Sequence, residues 1–283
     1  MVSSNYTIRT MAKDELSIAI DWAASEGWNP GLYDAESFYA ADPNGFFIGE
    51  INGKPVAVLS AVKYGETFGF MGFYIVKPEY RGKGYGIQIW NVGLEYLKER
   101  NIGLDGVLEQ QENYKKFGFE LAYRNIRYAA VSGNLKSTHQ KIVKLSFIPF
   151  SELTQFDQQI FPEKRENFLK SWLEQAESNV LGIIQNEALA AYGVIRKCRN
   201  GYKIGPLIAD TAELAEYLFL ALRETVKGSE TIFLDIPEIN KEALALVEKY
   251  HMKMVFETAR MYTKTAPCLS LNKLFGVTSF ELG

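Results

Sequence analysis

The sequence predicts an α/β protein, with α+β layering on a mixed sheet, made of two halves that share one element order. Three observations predict it. Residues 68–76 form a short apolar run, then come Gly82, Gly84 and Gly86, then apolar Ile87, Trp90, Leu94 and Leu97 at the spacing of one helical face. That is a buried strand, a glycine-rich turn and a helix. The neighbouring segments alternate strand character with turn chemistry, and Asn52 with Gly53 is a hairpin signal. Finally, residues 116–127 can be set against 249–260, an offset of 133. Identity there is slight, so element order carries the repeat.

The elements follow in order. Residues 6–10 alternate as a first strand. Residues 14–24, with Leu16, Ile20 and Ala23, read as a helix that the turn at 27–31 breaks. Asp34 caps a short helix to residue 39. Strands are expected at 45–51, 55–63 and 68–76, and a helix at 86–100 that Gly103 stops. A strand at 104–108, a short helix at 113–117 closed by Gly118, and a returning strand at 119–130 complete the half. Residues 132–138 are polar and turn-rich, the expected linker between a domain at 1–134 and one at 140–283. The second half reads as a strand at 141–147, a helix at 168–177, a hairpin of 180–185 and 188–197, and a strand at 202–208. A helix at 212–227, a strand at 231–236, a helix at 241–250 and a strand at 252–263 follow. Residues 272–283 are short and mixed and suit an added strand.

The bulk numbers bound the function. At 283 residues either half is long enough to bury a core. A net charge of −3 leaves no basic footprint for nucleic acid. The longest apolar run is too short to span a bilayer, and residues 1–10 lack a basic region followed by an apolar core, so a cytoplasmic protein with no membrane partner is expected. Two cysteines, Cys198 and Cys268, read as unpaired thiols. His139 and His251 have no metal-ligand spacing around them, so no metal is expected.

The turn carries the chemistry. Glycines let successive backbone N–H groups converge, and the helix behind them adds a partial positive charge. With Arg81 and Lys83 alongside, this is a phosphate or pyrophosphate site. The stretch from Arg81 to Gly86 resembles the Arg/Gln-x-x-Gly-x-Gly/Ala pattern of the GCN5-related N-acetyltransferase (GNAT) superfamily, and Tyr114, Gly118 and Phe119 resemble its late Tyr-x-x-x-Gly-Phe segment. The resemblance covers residues 1–130; the second half resembles only the fold plan. The whole looks like a tandem GNAT protein with one degenerate copy.

The resemblance implies acetyl-CoA as co-substrate. Its pyrophosphate would meet the amides of Gly82, Lys83, Gly84, Tyr85 and Gly86, with Arg81 heading the motif. The strand ending in Ile75 and Val76 would splay and pair with the pantetheine amides as an added strand does, and Asn113 would help orient the cofactor. Tyr114 would be the general acid for the departing thiolate. An amide near Ile75 would stabilise the oxyanion. The expected reaction is direct attack of a primary amine, most simply of a small molecule, on the thioester.

Two features qualify that reading. Residues 70–73 hold no carboxylate where some members carry a glutamate; Glu66, Glu109 and a water chain stay open as the base. A non-catalytic acyl-CoA-binding protein is the alternative. A tandem transferase using aminoacyl-tRNA is disfavoured by the intact loop and the charge. In the second half, the turn after Gly205 has no further glycine and carries Asp210, Glu213 and Glu216, which would repel a pyrophosphate. At the offset of 133, Val247 stands where Tyr114 does. That half is read as a structural partner. Trp22, Trp28, Tyr33 and Phe38 are read as core, in a region that lines the acceptor site of the resembling family.

Overall fold

A computed structural model describes residues 5–132, 142–144 and 148–283. The expected linker from residue 133 onward, His139 and the flanks of the strand expected at 141–147 lie outside the described residues.

The first half comprises β1 (Tyr6–Thr10), α1 (Leu16–Ser25), α2 (Asp34–Ala41), β2 (Phe46–Ile51), β3 (Lys54–Tyr64), β4 (Phe68–Val76), α3 (Tyr85–Tyr96), β5 (Asn101–Val107), α4 (Gln111–Lys115) and β6 (Glu120–Val131). The second comprises β7 (Ile142–Lys144), α5 (Phe150–Asp157), α6 (Glu166–Leu173), β8 (Ser178–Gln185), β9 (Ala188–Lys197), β10 (Tyr202–Ala209), α7 (Ala212–Glu224), β11 (Thr231–Pro237), α8 (Lys241–Lys249), β12 (Lys253–Tyr262) and β13 (Leu274–Gly276).

Two expectations are corrected. Gly103 does not stop a helix. It lies inside β5, where a Cβ would come within 3.0–3.1 Å of Phe68, Phe70 and Tyr262. A small residue lets three aromatic rings close over the strand. The helix α5 was not expected: its eight residues are too few to show a clear period, yet Leu153 and Phe156 are buried.

The strands form one sheet in the order β1-β2-β3-β4-β5-β12-β6-β11-β10-β9-β8-β7, with β13 added beside β10. Only β4–β5 and β10–β11 are parallel among these neighbours. The order shows an exchange. β12 of the second half pairs with β5 of the first, and β6 of the first pairs with β11 of the second. The two returning strands also pair with each other, which makes the sheet continuous.

Packing follows the same division. One face of the first half buries Ile89 and Trp90 of α3 against Leu59, Met71 and Leu104. The matching face of the second buries Leu218 and Leu222 of α7 against Ile204, Leu207 and Leu234. The other face is a single core shared by both halves, in which Phe38 of α2 stacks on Trp172 of α6 at 6.0 Å.

Candidate active site

The site begins where two strands part. β4 pairs with β5 only over Phe68 to Met71, opposite Asn101 to Leu104. Beyond that point Ile75 and Val76 stay with β3, opposite Val58 and Ala57. Asp105, Gly106 and Val107 stay with β12, opposite Arg260, Ala259 and Thr258. The backbone irregularity that turns β4 away is visible. The β3–β4 register shifts between Val58 and Ser60, and buried Phe73 sits at φ 47°. A bulky residue held in that left-handed region costs on the order of 1–3 kcal/mol, so the surrounding packing fixes it.

The gap widens into a cleft of about 460 Å³. At its mouth lies the glycine turn. Gly82 and Gly84 adopt φ of 75° and 82°, and Gly84 caps α3. A Cβ on Gly86 would come within 2.6 Å of Tyr74 Oη and 3.1 Å of Val76, so glycine lets the first turn of α3 close on β4. Gly82, Gly84 and Gly86 around that helix start line an opening suited to an anion. Arg81 is itself engaged: its Nε donates to the Val76 carbonyl at 2.8 Å and its Nη2 to the Glu26 carboxylate.

Of the residues expected at the site, Ile75, Val76, Arg81, Gly82, Gly84, Gly86 and Tyr114 line this cleft. Lys83, Tyr85 and Asn113 fall outside its lining. Lys83 Nζ donates to the Glu79 carbonyl at 2.7 Å. The Tyr85 ring lies 4.8 Å from that of Tyr6. Asn113 bonds to Gln110 and Lys116 on the surface.

Tyr114 is positioned by two neighbours. Its ring stacks on Trp90 at 5.5 Å and lies over Gly106, where a Cβ would be 2.2 Å from the ring. The residue is buried, and burial raises its phenol well above the ordinary value, with Tyr74 and Glu109 adding to the effect. A phenol is protonated at neutral pH already at its ordinary value, the state a proton donor needs.

The second half supplies the far wall: Phe256 and Thr258 from β12, and Phe280 and Glu281 from the segment after β13. Trp28 completes it from the loop after α1, its carbonyl accepting from Arg127 Nη1 at 2.6 Å. Phe38, by contrast, is wholly core, and Tyr33 is exposed and bonds Glu177. Glu281 is 2% exposed, and neither of its carboxylate oxygens has a hydrogen-bond partner among the described residues. Glu66 and Glu109 are exposed and outside the lining. Local reasoning missed Glu281. Its one sequence signal is a lone charge among apolar Val277, Phe280 and Leu282.

The equivalent gap in the second half is filled by the chain itself. β10 pairs with β11 only over Tyr202 to Ile204. Beyond it β13 lies against β10, and the Val277 N–H donates to the Asp235 carbonyl at 2.7 Å. A Cβ on Gly205 would be 2.5 Å from the Val277 oxygen. Thr211 caps α7 with its own hydroxyl, which accepts from the Leu214 N–H at 3.3 Å. Val247, opposite Tyr114 in the repeat, is fully buried.

Among the described residues, no helix is long and apolar enough to cross a membrane. The sequence model of the acetyltransferase (GNAT) family matches residues 12–119, and an acetyltransferase (GNAT) domain model matches residues 153–276. The holothin acyltransferase of Pseudoalteromonas sp. (strain SANK 73390) is 31% identical over 281 residues, covering 98% of this chain and 95% of that protein. An uncharacterized N-acetyltransferase of Bacillus subtilis (strain 168) is 25% identical over 217 residues, 75% of this chain and 76% of its own. Among solved structures, a putative acetyltransferase from Pyrococcus horikoshii superposes with a TM-score of 0.84 at 22% identity, over 100% of this chain and 98% of that one. A tandem GNAT protein from the clavulanic acid biosynthesis pathway superposes at 0.66 with 13% identity, over 93% and 100%. These structural likenesses concern the fold.

Proposed function

The chain belongs to the GNAT acyltransferase family in its tandem form, and from that premise we propose that it transfers an acetyl group from acetyl-CoA to a primary amine of a small molecule. The observation that carries the reading is the parting of β4 from β5 over the glycine turn at the start of α3.

Each part of acetyl-CoA meets a matching surface there. The pyrophosphate takes the amides of the turn. The pantetheine amides pair with the edge of β4 at Ile75 and Val76 that β5 has left. The thioester then lies deep in the cleft, near Tyr114. The amine attacks the thioester carbon directly, and an amide of the splayed strand stabilises the oxygen as it gains charge. Tyr114 gives its proton to the departing sulfur. The acceptor enters from the side walled by Trp28, Phe256, Thr258 and Phe280, a mixture of rings and one hydroxyl that suits a flat, compact amine. The Pseudoalteromonas relative is named for holothin, so holothin is the first acceptor to try here.

The test has two arms. Acetyl-CoA should raise the melting temperature, as any ligand of the native state does. The variant Arg81→Glu/Gly84→Glu should lose that rise; no rise with any acyl-CoA would sink the cofactor assignment. Free thiol should then appear only when an amine is added. A melting shift without amine-dependent thiol release would favour a non-catalytic acyl-CoA binder.

A further inference from the structure

Building on the acyl-transfer reading, we propose that Glu281 is the general base, delivered into the first-half cleft by the second half. Three carboxylates line that cleft. Glu26 is taken by Arg81. Asp105 is saturated by Arg260, at 2.9 and 2.6 Å, and by Asn125 at 2.8 Å. Glu281 alone has both oxygens buried and unengaged. In folded proteins the large majority of buried side-chain polar atoms have a hydrogen-bond partner. An unsatisfied one facing a cleft is therefore poised for a donor that arrives from outside, and an amine N–H is such a donor.

The carboxylate is held on a rigid support. The Glu281 carbonyl oxygen presses on Gly72, where a Cβ would lie 2.0 Å from it. Gly72 is the first residue of β4 beyond its pairing with β5. Tyr64 Oη donates to the Leu282 carbonyl at 3.1 Å, the Leu282 N–H donates to Ser279 Oγ at 3.1 Å, and Arg165 Nη1 donates to the Gly283 carbonyl at 2.9 Å. The backbone is thus held on both sides of Glu281, and among the described residues no hydrogen bond ties its carboxylate.

The charge is balanced at longer range. Arg127 of β6, Arg196 of β9 and Lys203 of β10 each feel the Glu281 carboxylate, and none is within hydrogen-bonding distance of it. Arg127 is held by Asp235 and Arg196 by Asp34, while Lys203 Nζ has Asp235 Oδ2 at 4.0 Å; Cys198 lies in the same network. These groups lie close enough to interact with the Glu281 carboxylate, and none of them occupies its lone pairs.

The step balances as follows. The amine nitrogen forms a bond to the thioester carbon, and its surplus proton passes to a Glu281 oxygen. The C–S bond breaks, and sulfur takes the proton of Tyr114. Glu281 then returns its proton through solvent, and Tyr114 regains one.

The test is Glu281→Gln in the full chain, assayed by amine-dependent thiol release with acetyl-CoA. Loss of a general base predicts a fall in kcat/KM of about 10²-fold or more, with the acetyl-CoA melting shift intact. The acidic limb of the wild-type pH profile should vanish in the variant. Should Glu281→Gln fail to fold, Glu281→Asp keeps the charge and withdraws it by one methylene. It should retain the acidic limb with kcat reduced by up to about 10²-fold, the scale of a displacement of about 1 Å. Turnover within threefold of wild type in the folded Gln variant, or an unchanged acidic limb there, would overturn the proposal. Wild type that binds acetyl-CoA but never releases thiol would instead count against the transferase reading itself.

Discussion

Arg127 of β6 and Asp235 of β11 are joined by two parallel hydrogen bonds, Nε to Oδ1 and Nη2 to Oδ2, each 2.7 Å, between strands from different halves. Two more buried pairs repeat the arrangement: Arg196 with Asp34, and Arg260 with Asp105. Each pair has one member in each half. A slip of one residue in the central strands would bury both members of a pair unmatched. We read Arg127 with Asp235 and Arg260 with Asp105, which stand opposite each other in paired strands, as register pins for the strand exchange, while Arg196 with Asp34 ties β9 to α2.

The first prediction concerns that pin. Asp235→Ala leaves Arg127 buried without its partner and should cost about 3–5 kcal/mol in urea unfolding. A loss under about 1 kcal/mol would mean that the pair is dispensable.

The same pair has a pH signature. Burial works to raise the Asp235 carboxyl, but Arg127 and Lys203 outweigh it and hold the value below the ordinary range. A carboxylate with a lowered folded value contributes stability that is full above its unfolded value, about 4, and fades as pH falls through the folded one. The stability gap between wild type and Asp235→Ala should therefore be widest above about pH 4 and shrink below it. Unfolding curves at several acidic pH values would show a constant gap if this were wrong.

Gly72→Ala would press a methyl against the Glu281 carbonyl and Ser60 Oγ, the second at 3.0 Å. Overpacking of this kind costs about 1–3 kcal/mol. Because the displaced segment carries Glu281, turnover should fall more than acetyl-CoA binding does. Equal losses in both would point to general collapse of the cleft.

Calorimetric titration with acetyl-CoA should return one site per chain. The second gap is occupied by β13 and the residues after it, and the α7 start has Asp210, tied to Lys273 at 2.9 Å, in place of a glycine turn. A stoichiometry of two would show that this segment can leave.

Tyr114→Phe should lower thiol release by about 10²-fold at saturating acetyl-CoA, the low end for loss of a general acid, and leave the acetyl-CoA melting shift in place. Full turnover would reduce Tyr114 to a packing partner of Trp90.

Much of this was legible in the chain. The apolar run at 68–76, the three glycines and the amphipathic helix are local patterns, and each adopts the element its period dictates. The loop's anion chemistry follows from backbone geometry, which glycine spacing encodes directly. The second half's lack of such a loop was equally plain in Asp210, Glu213 and Glu216. Gly103 misled because a glycine that makes room for aromatic rings and one that ends a helix look alike in sequence.

Three things required the tertiary structure. The exchange of β6 and β12 rests on pairs such as Arg127 with Asp235, which lie 108 residues apart and have no local signature. The filling of the second gap by β13 depends on long-range packing rather than on periodicity. Glu281 joins Tyr114 around one cleft because the sheet is continuous across the halves. By itself the sequence determined the strand–turn–helix that suits acyl-CoA, since hydrogen-bonding geometry within a few residues is a local property. The folded sheet decided which of the carboxylates lining that cleft is left without a partner, because burial and pairing are properties only of the assembled chain.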